Sequence, residues 1–235
     1  HRGRCSPART TLTTAVGQTC RMAVDVRQVE REVEGCRISQ RRFVDWLEEQ
    51  SPIASERPSR LPEWSIGHVL THLARNADSY VNLLRGLPQY DSVEDRNSAI
   101  EAGSNRIWTE LIDDVRSSCE RLDAELSSRL ADPSAWEGSA TLLGGAVVPR
   151  SVLPLLRWRE VEVHWVDLGC GHDLDDLDRH YLRSDLRLLE MLWRARRPIG
   201  MTPLHADILQ IPPHERLGWF LGRVEVDGVP PSGLT

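Results

Sequence analysis

The sequence predicts a mostly α-helical fold, in which an antiparallel four-helix bundle is followed by a small C-terminal α+β appendage. Three observations support this fold class. Four long segments carry apolar residues at helical spacing, loops of medium length separate them, and a proline-rich stretch of different character begins after Gly171. Long helices joined by such loops are typical of antiparallel bundles.

The first two helices are marked by apolar periodicity and by their ends. Residues 24–49 repeat valine, isoleucine, leucine and phenylalanine among many charges, which is the spacing of an amphipathic helix. The second helix is predicted to begin after Ser65, a favourable N-cap, and to end near Gly86 and Pro88. Both helices therefore present an apolar stripe to the bundle interior.

The third and fourth helices are predicted from the same pattern. One continuous helix is expected over residues 98–130, where Asp132 and Pro133 stop it. Residues 134–149 contain two adjacent glycines and are predicted to form a loop. The fourth helix is predicted over residues 151–168.

The remaining sequence predicts a small unit that packs on the bundle. Residues 176–196 indicate a further helix, and several prolines, a short helix near 214–223 and a strand over 224–229 follow. A tail of roughly 60 residues is at the lower limit for independent folding. We therefore expect a bundle domain over residues 22–172 and a small C-terminal domain over 173–235.

The segment before the bundle has a different composition. Residues 1–21 contain no acidic residue and no helical periodicity. They also lack the continuous apolar core of a secretory signal. We expect them to be a disordered or non-native leader before Met22.

Charge and cysteine content narrow the function classes. The net charge is -6, and the basic residues, all of them arginines, are dispersed among carboxylates, which disfavours a nucleic-acid-binding surface. The five cysteines are odd in number and form no CxxC pair, so we expect a reducing cytoplasm rather than a disulfide framework. No apolar run reaches the length of a membrane-spanning helix, and no membrane partner is expected.

The strongest chemical signal is an i,i+4 pair on the fourth helix. Glu160 and His164 project from one face of that helix, together with leucines of its apolar stripe. A carboxylate that points into the bundle requires a cation or a metal ion, because burying it unpaired is costly. On the second helix, His72 lies at the shoulder of the apolar stripe and can lean into the cleft between helices.

Two imidazoles and one carboxylate from two helices suit Zn²⁺, with a fourth position open to water or substrate. Fe²⁺, Ni²⁺ or Co²⁺ could be held by the same donors. The simpler interpretation is that Glu160 and His164 form a surface pair without a metal ion, since glutamate and histidine occur at i,i+4 on helices often by chance. His68 offers a rival ligand through its HxxxH spacing with His72, but helical phase places it nearly opposite the apolar stripe.

Two motifs resemble a known family when they are taken together. The stretches LPEWSIGHVLTHLARNAD, which contains His72, and RWREVEVHWVDLG, which contains Glu160 and His164, are similar to the mycothiol-dependent maleylpyruvate isomerase family. That family lies within the DinB-like bundle superfamily. The resemblance covers about residues 24–171, and LGWFLGR near the end resembles the family's C-terminal element.

The resemblance implies a site and a chemistry. It implies a DinB-like fold, His72, Glu160 and His164 as ligands of a divalent metal, for which Zn²⁺ is expected, and Arg223 as a catalytic arginine. Mycothiol would be the thiol cofactor, so the expected partners are a small-molecule substrate and a low-molecular-weight thiol. The implied reaction is a cis–trans isomerisation in which the metal-activated thiolate adds to the double bond of maleylpyruvate.

Two alternatives share the metal site. A mycothiol S-transferase would leave the thiol on the product. A non-catalytic regulatory module would complete the coordination of the metal ion with a fourth protein ligand.

Other charged residues near the predicted site have open roles. Arg157 is a second candidate for stabilising an enolate, although the simpler prediction is that it pairs with a carboxylate. Asp167, one turn after His164, could orient that imidazole. The acidic stretch around His172 is read as a solvated linker.

Overall fold

The computed structural model of the chain describes residues 24–196 and 203–234. The expected leader lies outside these residues. Eight α-helices are present in the described ranges: α1 (Val26–Glu49), α2 (Ile66–Leu84), α3 (Val93–Ser104), α4 (Trp108–Arg129), α5 (Leu153–Asp167), α6 (Arg179–Ala195), α7 (Ala206–Gln210) and α8 (Pro213–Phe220). The mostly α fold class is confirmed.

Helices α1, α2, α4 and α5 form the antiparallel bundle. In it α2 packs against α4 and α5, and α1 packs against α5 and α4. One buried apolar cluster, which includes Leu70, Leu111 and Val161, joins α2, α4 and α5. A second cluster, which includes Trp158 and Phe220, continues from the bundle into the C-terminal helices. The appendage therefore shares a core with the bundle, as its small size requires.

The second helix begins where the sequence predicts. The Ser65 hydroxyl accepts from the backbone N–H of His68 at 3.4 Å, and the His68 side chain accepts from the backbone N–H of Ser65 at 3.2 Å. This reciprocal pair is a capping box that satisfies two N–H groups at the start of the helix. The cap fixes the start of α2 and thereby helps to position His72, about two turns further along.

The prediction of a single third helix is wrong. The chain forms α3 and α4 with a break at residues 105–107, and α3 begins five residues before the predicted start. Helix α3 ends at its C-cap Asn105, two residues after Gly103, whose lack of a side chain allows close packing on α2, because a Cβ there would lie 2.5 Å from the side chain of Thr71. Such tertiary contact leaves no mark in the apolar period, so the sequence did not reveal the break.

The prediction of a loop over residues 134–149 is also wrong in detail. A 3₁₀ turn over Pro133–Trp136 is followed by two antiparallel strands, β1 (Ser139–Thr141) and β2 (Val147–Pro149), with Ala140 opposite Val148. Gly145 takes a left-handed conformation (φ 81°) in the turn between them. Strands of three residues are too short to show an alternating pattern.

The C-terminal appendage confirms the predicted helices and not the predicted strand. Helix α6 lies within the predicted range 176–196, and α8 lies in the segment predicted to be a short helix. Over 224–229 the described chain forms a tight turn closed by an isolated bridge between Val226 and Val229. None of the described helices has both the length and the apolar character needed to cross a membrane.

A glycine sets how closely α1 approaches α5, the helix that carries Glu160 and His164. A Cβ built on Gly35 would lie 2.1 Å from the indole ring of Trp158, which is almost fully buried. Since core side chains are close-packed, the ring has little freedom to withdraw. The absence of a side chain at Gly35 therefore permits the observed packing of the two helices.

We expect Gly35→Ala to lower the free energy of unfolding by about 1–3 kcal/mol, because the added methyl group would overlap the Trp158 ring, and displacing that ring costs more than the helix propensity gained. Gly144→Ala is the matched control, since a Cβ there meets nothing within 4 Å. Urea denaturation of both variants measures the effect. Equal stability of the two variants would contradict the assigned packing.

Candidate metal centre

Two helices bring a histidine–glutamate–histidine cluster together inside the bundle. His72 comes from α2, while Glu160 and His164 lie one turn apart on one face of α5. One potential ligand atom from each residue lies within 4.8 Å of the other two. Among the described residues this is the one group of three or more histidine, cysteine or acidic side chains that meets this criterion.

Glu160 stands between the two imidazoles. Its Oε2 is 2.9 Å from Nε2 of His72 and 3.6 Å from Nε2 of His164. The two imidazole rings are nearly perpendicular, with centroids 4.7 Å apart and an interplanar angle of 85°. Two ring nitrogens and a carboxylate oxygen therefore converge on a small common volume.

These separations fit a small divalent cation. Imidazole nitrogens and carboxylate oxygens bind Zn²⁺ at about 2.0–2.2 Å, so tetrahedral ligand atoms are about 3.4 Å apart. The two separations measured from Oε2 of Glu160, 2.9 and 3.6 Å, lie on either side of that value. A donor set of two nitrogens and one oxygen is also the mixture that borderline-soft metals accept.

The cluster is shielded on one side and accessible on the other. His72 is 5% exposed, and the edge of the Trp64 ring covers it with centroids 5.4 Å apart. The side chains of His164 and Glu160 are 15% and 27% exposed. This partial exposure leaves room for a further ligand from solvent or substrate, as catalytic metal sites require.

Mutual contacts set the protonation states of the cluster. Burial would raise the pKa of Glu160, but the hydrogen bonds and charges of the two histidines hold that pKa well below its ordinary value. Burial lowers the pKa of His72 to about 4, against the opposing effect of its hydrogen bond to Glu160. Near pH 7 the carboxylate is therefore charged and His72 is neutral, which are the states that metal ligation needs.

His164 is in a different position. Burial lowers its pKa, but hydrogen bonds to Asp167 and Glu160 outweigh burial and raise the pKa above the ordinary value of 6.5. Without a metal, the carboxylates on both sides of the ring therefore favour its protonated form. Binding of a cation at Nε2 of His164 would release that proton.

A buried carboxylate holds the His164 ring in place from behind. Oδ2 of Asp167, which is 1% exposed, lies 2.8 Å from Nδ1 of His164. Because Nδ1 is engaged with Asp167, the other nitrogen faces Glu160. Metal-binding histidines commonly have this arrangement, in which the second ring nitrogen donates to a carboxylate.

Asp167 is in turn held by an arginine from the C-terminal appendage. The Nη2 and Nε atoms of Arg223 donate to its two carboxylate oxygens at 2.8 and 3.2 Å. The structure therefore connects Arg223 to the cluster through Asp167 and His164. The hydrogen bond between Asp167 and Nδ1 of His164 is also the contact expected of a residue that orients this imidazole.

The other sequence candidates lie outside the cluster. His68 completes the α2 cap, and its Nε2 is 3.1 Å from Glu101 rather than near Glu160. His172 stacks on Trp165 with ring centroids 4.0 Å apart. The rival reading, in which both histidines of the HxxxH pair are ligands, is therefore not supported by the geometry.

The prediction that Arg157 pairs with a carboxylate is wrong. This side chain is 1% exposed and donates to Gln40, to the Leu73 carbonyl and to Asn76 at 3.0, 3.0 and 2.7 Å. No carboxylate of the described chain lies within ion-pair distance of it. Neutral acceptors on α1 and α2 satisfy its guanidinium. Arg157, which lies on α5, therefore connects these three helices.

Sequence reasoning missed Arg96, which lies beside the cluster. Its Nη2 is 3.2 Å from Nδ1 of His72. The predicted start of the third helix at residue 98 left Arg96 in a loop. The signal was present in Ser92 followed by Asp95, because a serine three residues before an acid marks a helix start, and the Ser92 hydroxyl does accept from the Asp95 N–H at 3.0 Å.

The fold and the cluster together define a DinB-like helical bundle with one candidate metal centre in its described part. A family model described as the mycothiol maleylpyruvate isomerase N-terminal domain matches residues 36–169. The chain belongs to this family.

Solved structures agree with the family assignment. Crystal structures of a mycothiol-dependent maleylpyruvate isomerase and of a histidine-to-alanine mutant of such an enzyme match with TM-scores of 0.65 and 0.64. Each match has 25% sequence identity and covers 74% of this chain and 75% of the other. No curated protein matches the sequence.

We expect His72→Ala to abolish retention of a divalent metal, because the variant leaves only the two donors of one helix. His180→Ala is the matched control, since it removes an exposed histidine of α6 that is not part of the cluster. Metal analysis of both purified variants by mass spectrometry measures the difference. Stoichiometric metal in His72→Ala would refute the ligand assignment.

Asp167→Asn should weaken metal binding by roughly 10–100-fold, the usual effect of removing a carboxylate that orients a ligating histidine. Competition with a chelator of known affinity measures the change. Asp173→Asn is the control, because that carboxylate pairs with Arg60 on the surface. An unchanged affinity in Asp167→Asn would show that the aspartate does not act on the metal through His164.

Proposed function

We propose that this chain is a metal- and mycothiol-dependent cis–trans isomerase that acts on maleylpyruvate or a closely related unsaturated keto acid. The observation that carries the proposal is the partly accessible His72–Glu160–His164 cluster in a member of the mycothiol maleylpyruvate isomerase family. The similar crystal structure of a mycothiol-dependent maleylpyruvate isomerase supports it.

The residues of the cluster are suited to hold Zn²⁺ for this chemistry. A bound Zn²⁺ would supply a Lewis acid that lowers the pKa of a thiol, so that a thiolate is available near pH 7. Glu160 contributes a negative charge that partly offsets the charge of the cation. Asp167 keeps the His164 ring in the orientation that presents Nε2 to the cluster.

The reaction class explains why a thiol would be needed and recovered. Addition of a thiolate to a cis double bond leaves a single bond, about which the molecule can rotate. Departure of the thiolate then restores the double bond in the trans form, so the thiol is not consumed. The chain must therefore bind the carboxylates and the enolate oxygen of the substrate during rotation.

Arg223 is the proposed catalytic arginine for that task. A guanidinium has five N–H donors, of which two are used on Asp167 and one on the Leu221 carbonyl. The side chain is 26% exposed, so its remaining N–H groups can reach a substrate oxygen. An arginine in this position would stabilise the negative charge that develops on an enolate.

The alternatives differ in features that can be observed. A regulatory module is expected to complete the coordination of its metal ion with a fourth protein ligand. The cluster in the described part of the chain has three candidate ligands. That count favours an enzyme. A mycothiol S-transferase would use the same three ligands, and only the product distinguishes it from the isomerase.

We expect the zinc-loaded protein to convert maleylpyruvate to fumarylpyruvate with mycothiol present in substoichiometric amount. His72→Ala should lose this activity and His180→Ala should keep it. Product analysis by mass spectrometry tests the alternative directly: a product that retains the thiol would identify a transferase. Absence of any turnover by the metal-loaded protein, with mycothiol present, would refute the proposed function.

A further inference from the structure

Arg96 is a cation without a carboxylate partner at the edge of the metal centre. Its Nη2 lies 3.2 Å from Nδ1 of His72, and its Nη1 donates to Asn97 at 2.9 Å. No acidic side chain within the described ranges lies at ion-pair distance from it. Its neighbours differ, because Arg75 and Arg106 both pair with Asp114.

Trp64 fixes the position of Arg96 relative to the cluster. The guanidinium carbon lies 5.7 Å from the centroid of the Trp64 ring, and the edge of the same ring covers His72. A guanidinium over an aromatic face is held by cation–π attraction. The arginine is half-buried, so it presents a positioned positive charge rather than a freely solvated one.

Hydrogen-bond chemistry shows what Arg96 would require when the cluster binds a cation. A guanidinium only donates, so Nδ1 of His72 accepts from Arg96 and the ring proton lies on Nε2. If Nε2 instead binds a metal, the proton lies on Nδ1, and the N–H of Arg96 loses its acceptor. A carboxylate is the acceptor that a guanidinium binds most strongly, because both partners are charged.

We propose that Arg96 binds a carboxylate of the substrate and makes the site selective for carboxylate-bearing molecules. Arg96 contacts the His72 side of the cluster, while Arg223 contacts the Asp167 side. This inference rests on the proposed function only in identifying the ligand as the substrate.

Isothermal titration of the zinc-loaded protein with maleate, a cis-dicarboxylate, tests this assignment without using turnover. We expect Arg96→Met to bind maleate about tenfold more weakly or worse, because a charged hydrogen bond is lost. Arg96→Lys should bind with intermediate affinity, since lysine keeps the charge and lacks the planar fork. Arg121→Met is the control, because it removes an equal charge from an exposed pair with Asp78.

The outcomes separate this inference from the proposed function. Weakened maleate binding in Arg96→Met, with the control unchanged, supports the inference even if the protein fails to isomerise maleylpyruvate. Equal maleate affinity in wild type and Arg96→Met would overturn it, even if isomerase activity is found. Absence of measurable maleate binding by the zinc-loaded wild type would overturn it as well. A thermal melt and zinc analysis of each variant verify that fold and metal are retained.

Discussion

The carboxylate of Glu160 lies between two imidazoles inside the bundle. The rest of the site depends on how its negative charge is compensated. A charged group in such a place is stable only if opposite charge or hydrogen-bond donors compensate it. His72 and His164 provide the donors when no cation is bound. The same three groups form the candidate ligand set, because their nitrogen and oxygen atoms all lie within 4.8 Å of one another.

The bundle holds this arrangement from several directions. Gly35 allows α1 to approach α5 closely, and the Ser65 cap fixes the start of α2. Arg223 connects the C-terminal appendage to the cluster through Asp167. The appendage therefore contributes a residue that supports the cluster, and it is held in place by the core that it shares with the bundle.

Much of this could be predicted from the sequence, because the signals are local. Apolar periodicity identified the bundle helices α1, α2 and α5 and the C-terminal helix α6, and the i,i+4 spacing with helical phase selected Glu160, His164 and His72 over His68. What could not be predicted depends on contacts between distant elements. Gly103 packs against Thr71 of α2 next to the break before α4, and Arg96 lies beside His72 only because α3 places it there.

The most direct test of the central claim is a crystal structure with anomalous diffraction data collected at the zinc edge. We expect one anomalous peak about 2.0–2.2 Å from Nε2 of His72, Nε2 of His164 and a carboxylate oxygen of Glu160, with a non-protein ligand completing the coordination. A peak at another site, or a peak bound by a fourth protein side chain, would contradict it.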